Sequence, residues 1–249
     1  MPPALAINHC NRKGKNMAFS VEWEKIYQTG AHDSVWPWSE VVSLTNRYFK
    51  GDKSKLRVLE LGCGAGANIP FFAAIGAEYC GIEGSVTQVK KLQERYAASP
   101  SVDEGFEGGK RRITILAGDF TEDLPFDGEF DLILDRGSVT HNTTADIRKT
   151  VTLAYGKLRK GGYYFGLDWI SRNWGVFSDP AEVYDIIDEY TRVFHSGYFD
   201  GLGNAHFSDA DHIQELFHQM TIIEMCEKTS IYTIPEGKKI AQWSFVAQK

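Results

Sequence analysis

Apolar positions recur along this chain in two rhythms, one near the helical period and one of short unbroken runs. In the first 55 residues Val21, Ile26 and Tyr27 stand among Glu22, Glu24 and Lys25, which predicts a short helix ended by the loop at 30–34. Pro37 sits where a first helical turn tolerates it, and Val41, Val42, Leu44 and Tyr48 repeat at near-helical spacing until Lys50-Gly51-Asp52 breaks the pattern. From residue 56 the texture changes. Apolar runs at 56–61, 79–83, 113–117, 130–135 and 162–167 read as buried strands, with helices starting near Asn68, Val86 and Thr144 between most of them. Asp127-Gly128-Glu129 is a turn into the fourth run, and Arg159-Lys160-Gly161-Gly162 is a basic helix end with its glycine stop. Beyond residue 168 the pattern predicts an aromatic loop, a helix near 181–190, a glycine-containing loop to His206, and a helix opened by Ser208-Asp209-Ala210-Asp211. Two last runs, 221–229 and 240–247, flank Pro235-Glu236-Gly237 and read as an antiparallel pair.

These elements predict an α/β fold with a parallel sheet covered on both faces. With no internal repeat and no long linker, the expected division is a tail at 1–19, a helical lid at 20–54 and one Rossmann-like core at 55–249.

The residues with the most chemistry lie at strand ends. Val58-Leu59-Glu60-Leu61-Gly62-Cys63-Gly64-Ala65-Gly66 is a buried strand running through alternating glycines into a helix, and such glycines let backbone approach a ligand closely. A tight turn with no ligand is the plainer alternative. A P-loop needs Gly-Lys-Ser/Thr to hold phosphate and magnesium, whereas Ala67-Asn68 follows Gly66 here. A dinucleotide would place its pyrophosphate beside Glu60, an unwelcome negative charge. S-adenosyl-L-methionine carries an ammonium and a sulfonium, and an acid at position 60 suits it. Glu83, in Gly81-Ile82-Glu83-Gly84-Ser85, lies at the usual distance beyond the glycines for a carboxylate that accepts from a ribose diol. Ala117-Gly118-Asp119-Phe120 offers an acceptor for an adenine amine beside an aromatic ring, or else a loop turn with a core Phe.

In this order, and followed by Phe130-Asp131-Leu132-Ile133-Leu134-Asp135 and Leu158-Arg159-Lys160-Gly161-Gly162, these motifs resemble the class I S-adenosylmethionine-dependent methyltransferases over roughly residues 55 to 249. The resemblance implies a seven-stranded sheet in the order 3-2-1-4-5-7-6, mostly parallel with an antiparallel last strand. It also implies that Glu60, Gly62, Gly64 and Gly66 surround the methionine part, Glu83 the ribose, and Asp119 and Phe120 the adenine. Cys63, Gly84, Ser85, Gly118 and Asp135, within or beside the same motifs, complete the expected cofactor set. The Trp-Glu-Lys-Ile-Tyr and Val-Trp-Pro-Trp segments and the late Gly-Leu-Gly-Asn-Ala-His-Phe-Ser stretch look like small-molecule methyltransferases found among bacterial surface-polysaccharide genes.

A sulfonium is already a good leaving group, so such an enzyme must chiefly align acceptor and methyl and exclude water. A hydroxyl or protonated amine acceptor also needs a base. His141, in Arg136-Gly137-Ser138-Val139-Thr140-His141-Asn142 after the fourth strand, is the first candidate, with His195, His206 and Asp168 behind it. A structural loop histidine is the alternative. Arg136 could pair with an acidic substrate group, or with Asp135 or Asp131. Trp36, Trp38, Trp169 and Trp174 fall in segments expected to flank the cleft, where an aromatic face could stabilise the sulfonium or stack a substrate, and Trp36 joins the expected cofactor set; packing of a lid is the sober alternative.

Charge and cysteine usage narrow the partners. A net charge of −6, with Lys110-Arg111-Arg112 as the basic cluster, argues against nucleic acid. The four cysteines at 10, 63, 80 and 226 lack C-x-x-C spacing, which fits a reducing cytoplasm and supplies no metal site. The first residues put an apolar stretch before a basic one, the reverse of a secretory signal, so a frayed tail with Met17 as an alternative start is expected. The partners expected are a small-molecule methyl acceptor and a second copy in a homodimer, with no membrane. Two other functions stay open: an NAD-dependent oxidoreductase using the same crevice, and a catalytically silent S-adenosylmethionine-binding module.

Overall fold

The computed structural model describes residues 21–30, 33–97 and 113–249. The expected tail, Met17 and the basic cluster at 110–112 lie outside the described residues. Two helices come first, α1 (Val21–Gln28) and α2 (Ser39–Tyr48). Strand and helix then alternate through β1 (Arg57–Leu61), α3 (Ile69–Ala74), β2 (Glu78–Glu83), α4 (Val86–Ala97), β3 (Ile113–Ala117), β4 (Phe130–Arg136), α5 (Thr144–Lys157) and β5 (Leu158–Ile170). Three short strands follow, β6 (Tyr184–Ile186), β7 (Thr191–Phe194) and β8 (Asn204–His206), then α6 (Ala210–Leu216), β9 (Thr221–Ile231) and β10 (Lys239–Gln248).

The main sheet has seven strands in the order β3-β2-β1-β4-β5-β10-β9. This is the expected arrangement. β1 to β5 run parallel, and β10 is antiparallel to both its neighbours. Alternation of side chains along the central strands sorts the core onto two faces. Leu59, Leu61, Ile133 and Tyr164 pack with α5 and α6 residues such as Ile147, Val151 and Ile213. Val58, Leu132, Leu134 and Phe165 pack with Val41, Phe72 and Leu92 from α2, α3 and α4. Each fully buried Leu, Ile or Phe contributes about 1.5–3 kcal/mol, so this two-faced burial drives formation of the sheet.

Helix ends follow local chemistry. Thr143 accepts from the Asp146 amide to cap α5, and Asp209 accepts from the His212 amide to cap α6, as its sequence suggests.

One expected element is absent. Residues 181–190 form no helix; β6 instead pairs antiparallel with β7, and β7 with β8, as a separate three-stranded sheet. The near-helical spacing of Val183, Ile186, Ile187 and Tyr190 is overridden because Asp188 organises a turn. Its carboxylate accepts from the Thr144, Tyr190 and Thr191 amides and from the Thr144 hydroxyl. Val183, Ile186 and Ile187 are left exposed.

Candidate functional site

Because β1, β2, β3 and β4 are parallel and in register, their carboxyl ends meet at one edge. Leu61 pairs with both Ile82 and Asp135, and Glu83 pairs with Ala117. A cavity of about 470 Å³ opens there, a size within the range of small-ligand sites. Gly62 and Gly64 have φ of +63° and +50°, the left-handed region that glycine adopts without strain. Neither position has room for a side chain: a Cβ on Gly62 would lie 2.4 Å from the Ser138 Cβ, and one on Gly64 would lie 2.8 Å from the Tyr27 hydroxyl. Bare backbone therefore faces the cavity at this bend.

Three carboxylates edge it. Glu60 is buried; its oxygens accept from Asn68 Nδ2 at 2.8 Å and the Tyr79 hydroxyl at 2.6 Å. Burial pushes this carboxyl up to about 7, against the downward pull of the two donors. Glu83 accepts from the Gly64 and Ser85 amides at 2.8 and 2.9 Å, and burial raises its pKa as well. Asp119 accepts from the Thr121 amide and hydroxyl through Oδ1, while its Oδ2 is buried with no partner. Phe120 lies alongside: its Cε1 would stand 3.5 Å from a Cβ on Gly62.

The opposite wall is the loop after β4. Asp135 is fully buried beneath it and accepts from the Ser138 and Val139 amides, the Ser138 hydroxyl and Trp169 Nε1. Ser138 also donates to the Leu61 carbonyl, tying this loop to the end of β1. Arg136 pairs with Asp168 at 2.6 Å and lies over the Trp38 ring at 3.4 Å, so neither Asp135 nor Asp131 is its partner. Asp168 has φ of +56°, a strained geometry for a non-glycine residue and one that occurs preferentially at functional positions. His141 Nδ1 contacts the Asn204 carbonyl oxygen at 2.9 Å. A carbonyl only accepts, so Nδ1 carries a proton and donates it to Asn204.

The cavity brings together Glu60, Gly62, Cys63, Gly64, Glu83, Gly84, Gly118, Asp119, Phe120, Arg136 and His141 from the expected set. The others stand elsewhere. Trp36 is 76% exposed and outside the lining; Trp38, two residues on, lines it instead. Asp135 acts behind the wall, through the backbone it holds. Ser85 is buried off the cavity, donating to Glu24 of α1, and a Cβ on Gly66 would strike Ile69 and Leu92 in the core, so both shape the site from outside. Among the secondary candidates, Asp168 and Trp174 line the cavity, whereas Trp169 is core. His195 is exposed against Asp185, and His206 is buried between Thr191 and His212, where burial pushes it down to about 3.

Sequence reasoning missed several lining residues. Trp23 and Tyr27 come from α1, which is tied to the residues after β2 and to α4: Glu24 accepts from the Ser85 and Thr87 hydroxyls and Lys91 donates to the Tyr27 carbonyl. Asn68 bridges Glu60 to the Trp38 amide. Tyr198, Phe199, Leu202 and Gln242 arrive from the far end of the chain with no spacing signal.

Residues 58–162 match the family model described as a methyltransferase domain. Over these residues the chain is similar to a methyltransferase domain. S-adenosylmethionine is the cofactor of this class of domain, and the match therefore favours it over a dinucleotide. Solved structures agree in fold. An S-adenosylmethionine-dependent methyltransferase from Methanosarcina mazei is 18% identical with a TM-score of 0.58, the alignment covering 86% of this chain and 98% of that one. One from Clostridium acetobutylicum is 12% identical with a TM-score of 0.58, covering 91% and 95%. The glycopeptide N-methyltransferase MtfA in complex with S-adenosylmethionine is 18% identical with a TM-score of 0.54, covering 85% and 93%. No curated protein matches the chain in sequence.

The residues present fit the cofactor. The unpartnered Asp119 Oδ2 is a buried acceptor for an amine, the bare bend admits a close ligand, and Glu60 and Glu83 suit an ammonium and a diol. Among the described residues no group of three or more His, Cys, Asp or Glu could hold a metal ion, and no helix is long and apolar enough to cross a membrane.

Proposed function

We propose that this methyltransferase transfers its methyl group to a hydroxyl or amine of a small molecule, with Glu60, Gly62 and Gly64 around the methionine part of the cofactor, Glu83 at the ribose, Asp119 and Phe120 at the adenine, and His141 as base. The observation that carries the reading is that one cavity, lined in part by α1, holds both the carboxylate-edged bend and His141. When bound, S-adenosylmethionine supplies an activated methyl on a sulfonium.

The chain's own residues then have three tasks. Trp23 and Tyr27 line the cleft and exclude water, which strengthens every electrostatic interaction inside. Ser138 and Asp135 hold the loop against β1 and so fix the distance between His141 and the glycine bend. His141, oriented by the Asn204 carbonyl, presents Nε2 to take the acceptor's proton. Arg136 is a positioning residue, its guanidinium held by Asp168 and Trp38.

Incubation with methyl-labelled cofactor and a metabolite extract tests the reading. Label in a small-molecule product supports it; cofactor binding without any labelled product supports the silent binding module instead.

A further inference from the structure

The cavity extends past His141 to a wall that the cofactor groups do not use. It consists of Ile170, at the end of β5, with Trp174, Tyr198, Phe199 and Leu202. Ile170, Trp174, Phe199 and Leu202 belong to a third hydrophobic cluster, which also holds Phe194, Ala205 and Phe207 from the β6-β7-β8 sheet and its flanks, and Tyr198 lies against its Trp174 and Phe199 rings. Trp174 meets Tyr198 at 5.3 Å and Phe199 at 5.1 Å between ring centroids, with planes tilted by 45° and 61°, so the rings form one aromatic cluster at this end of the cavity. Gly197, at φ of +72°, sets the turn that carries Tyr198, and a Cβ there would strike the Glu182 carboxylate at 2.5 Å. Tyr198 itself is 56% exposed, so aromatic surface is presented at the lip.

The same small sheet reaches the base. Asn204 of β8 accepts from His141, and the His206 carbonyl accepts from the Thr140 hydroxyl. One module thus builds the wall and orients His141.

Charge decides what this wall can hold. The wall side chains Ile170, Trp174, Tyr198, Phe199 and Leu202 are all uncharged; of the four carboxylates lining the cavity, Glu60, Glu83 and Asp119 are given to the cofactor, and Asp168 is paired with Arg136, the one arginine in the lining among the described residues. Lys238, whose ammonium lies 5.8 Å from the Tyr198 ring centroid, stands outside the cavity lining, so among the described residues an anionic acceptor inside the cavity would lose its hydration against uncharged wall side chains. A polyol would bury hydroxyls against a face whose polar groups are the Tyr198 hydroxyl and nearby Gln242, leaving most without partners. A flat apolar body bearing one hydroxyl loses nothing there and gains ring contact.

We propose that this aromatic wall is the acceptor subsite and that it takes a neutral, planar compound of the phenol class, its hydroxyl turned toward His141. This rests on the methyl-transfer reading above. The test uses the whole protein saturated with S-adenosylhomocysteine, titrated calorimetrically with naphthol, naphthoate and glucose. Naphthol should bind saturably and at least tenfold more tightly than naphthoate, with no heat from glucose. Tyr198→Ala, at an exposed position, should weaken naphthol about tenfold while leaving S-adenosylhomocysteine affinity unchanged. Leu202→Arg, which places a cation on the wall, should narrow or invert the preference between naphthol and naphthoate. Naphthoate or glucose binding as tightly as naphthol, or a Tyr198→Ala protein with unaltered naphthol affinity, overturns the proposal. If S-adenosylhomocysteine binds and naphthol does not, the subsite fails alone; if S-adenosylhomocysteine does not bind, the methyl-transfer reading fails and the subsite with it.

Discussion

Glu60 makes cofactor affinity depend on pH with a sign that can be worked out. Its carboxyl is fully enclosed, and burial outweighs the hydrogen bonds from Tyr79 and Asn68, so half of the cofactor-free protein holds it neutral at about pH 7. In the folded state the proton is bound more tightly than in the unfolded chain. Stability of the cofactor-free protein therefore falls as pH rises from the ordinary carboxylate range through 7, by roughly 3 kcal/mol in all. A ligand ammonium reverses the preference, since it interacts with the ionised form. Affinity for S-adenosylhomocysteine, which keeps the ammonium and lacks the reactive methyl, should accordingly be about tenfold tighter at pH 8 than at pH 6. Binding at pH 7 should release roughly half a proton. Calorimetry in two buffers of different ionisation enthalpy measures both quantities. Glu60→Gln keeps the shape and an acceptor for Tyr79 but removes the charge, so its affinity should be weaker at pH 8 and largely insensitive to pH. A wild-type affinity that is flat from pH 6 to pH 8, or a Glu60→Gln protein that keeps the wild-type slope, refutes the electrostatic account of the bend.

Other residues carry separable expectations. Glu83→Ala should weaken cofactor binding and also lower the thermal midpoint, because the Gly64 and Ser85 amides lose their buried acceptor at about 1–3 kcal/mol each; an unchanged melting curve would contradict the observed hydrogen bonds. Asp119→Ala removes an acceptor whose Oδ2 has no protein partner, so cofactor affinity should drop several-fold for about 1 kcal/mol; an unchanged titration would take Asp119 out of the adenine site. His141→Ala should lower kcat by roughly 10²–10⁴ with little change in cofactor Kd, and an unaltered rate at saturating acceptor would end its role as base. Trp169→Phe leaves Asp135 Oδ2 without its donor and should destabilise the fold by about 1–3 kcal/mol, read by chemical denaturation.

The alternation of strand and helix, the order of the motifs and the glycine bend were all legible in the chain, because each is written in local terms. A doubly covered parallel strand is apolar along its length, and β1, buried from Val58 to Leu61, falls within the run 56–61. A backbone that must adopt positive φ beside Ser138 and Tyr27 can only be glycine, so Gly62 and Gly64 announce the bend without any partner being known. Parallel pairing then carries Glu60, Glu83 and Asp119 to one edge as a matter of topology.

What the chain did not reveal depends on contacts between distant segments. Trp36 and Trp38 are equivalent by sequence, yet Trp38 packs on Arg136 while Trp36 faces solvent. Asp135 looks like a cofactor residue by position, and only its four donors show that it holds a loop. The segment 181–190 has a helical rhythm, and a single carboxylate, Asp188, bonded across to the start of α5 turns it into a hairpin instead. That hairpin leads to β8, whose Asn204 accepts from His141. Local sequence thus determined the fold and the cofactor bend, because backbone period and steric permission act within a few residues. Tertiary structure alone decided the aromatic wall of the cavity and the hydrogen bond that orients His141, because both are made by side chains and carbonyls separated by tens of residues and brought together only by packing.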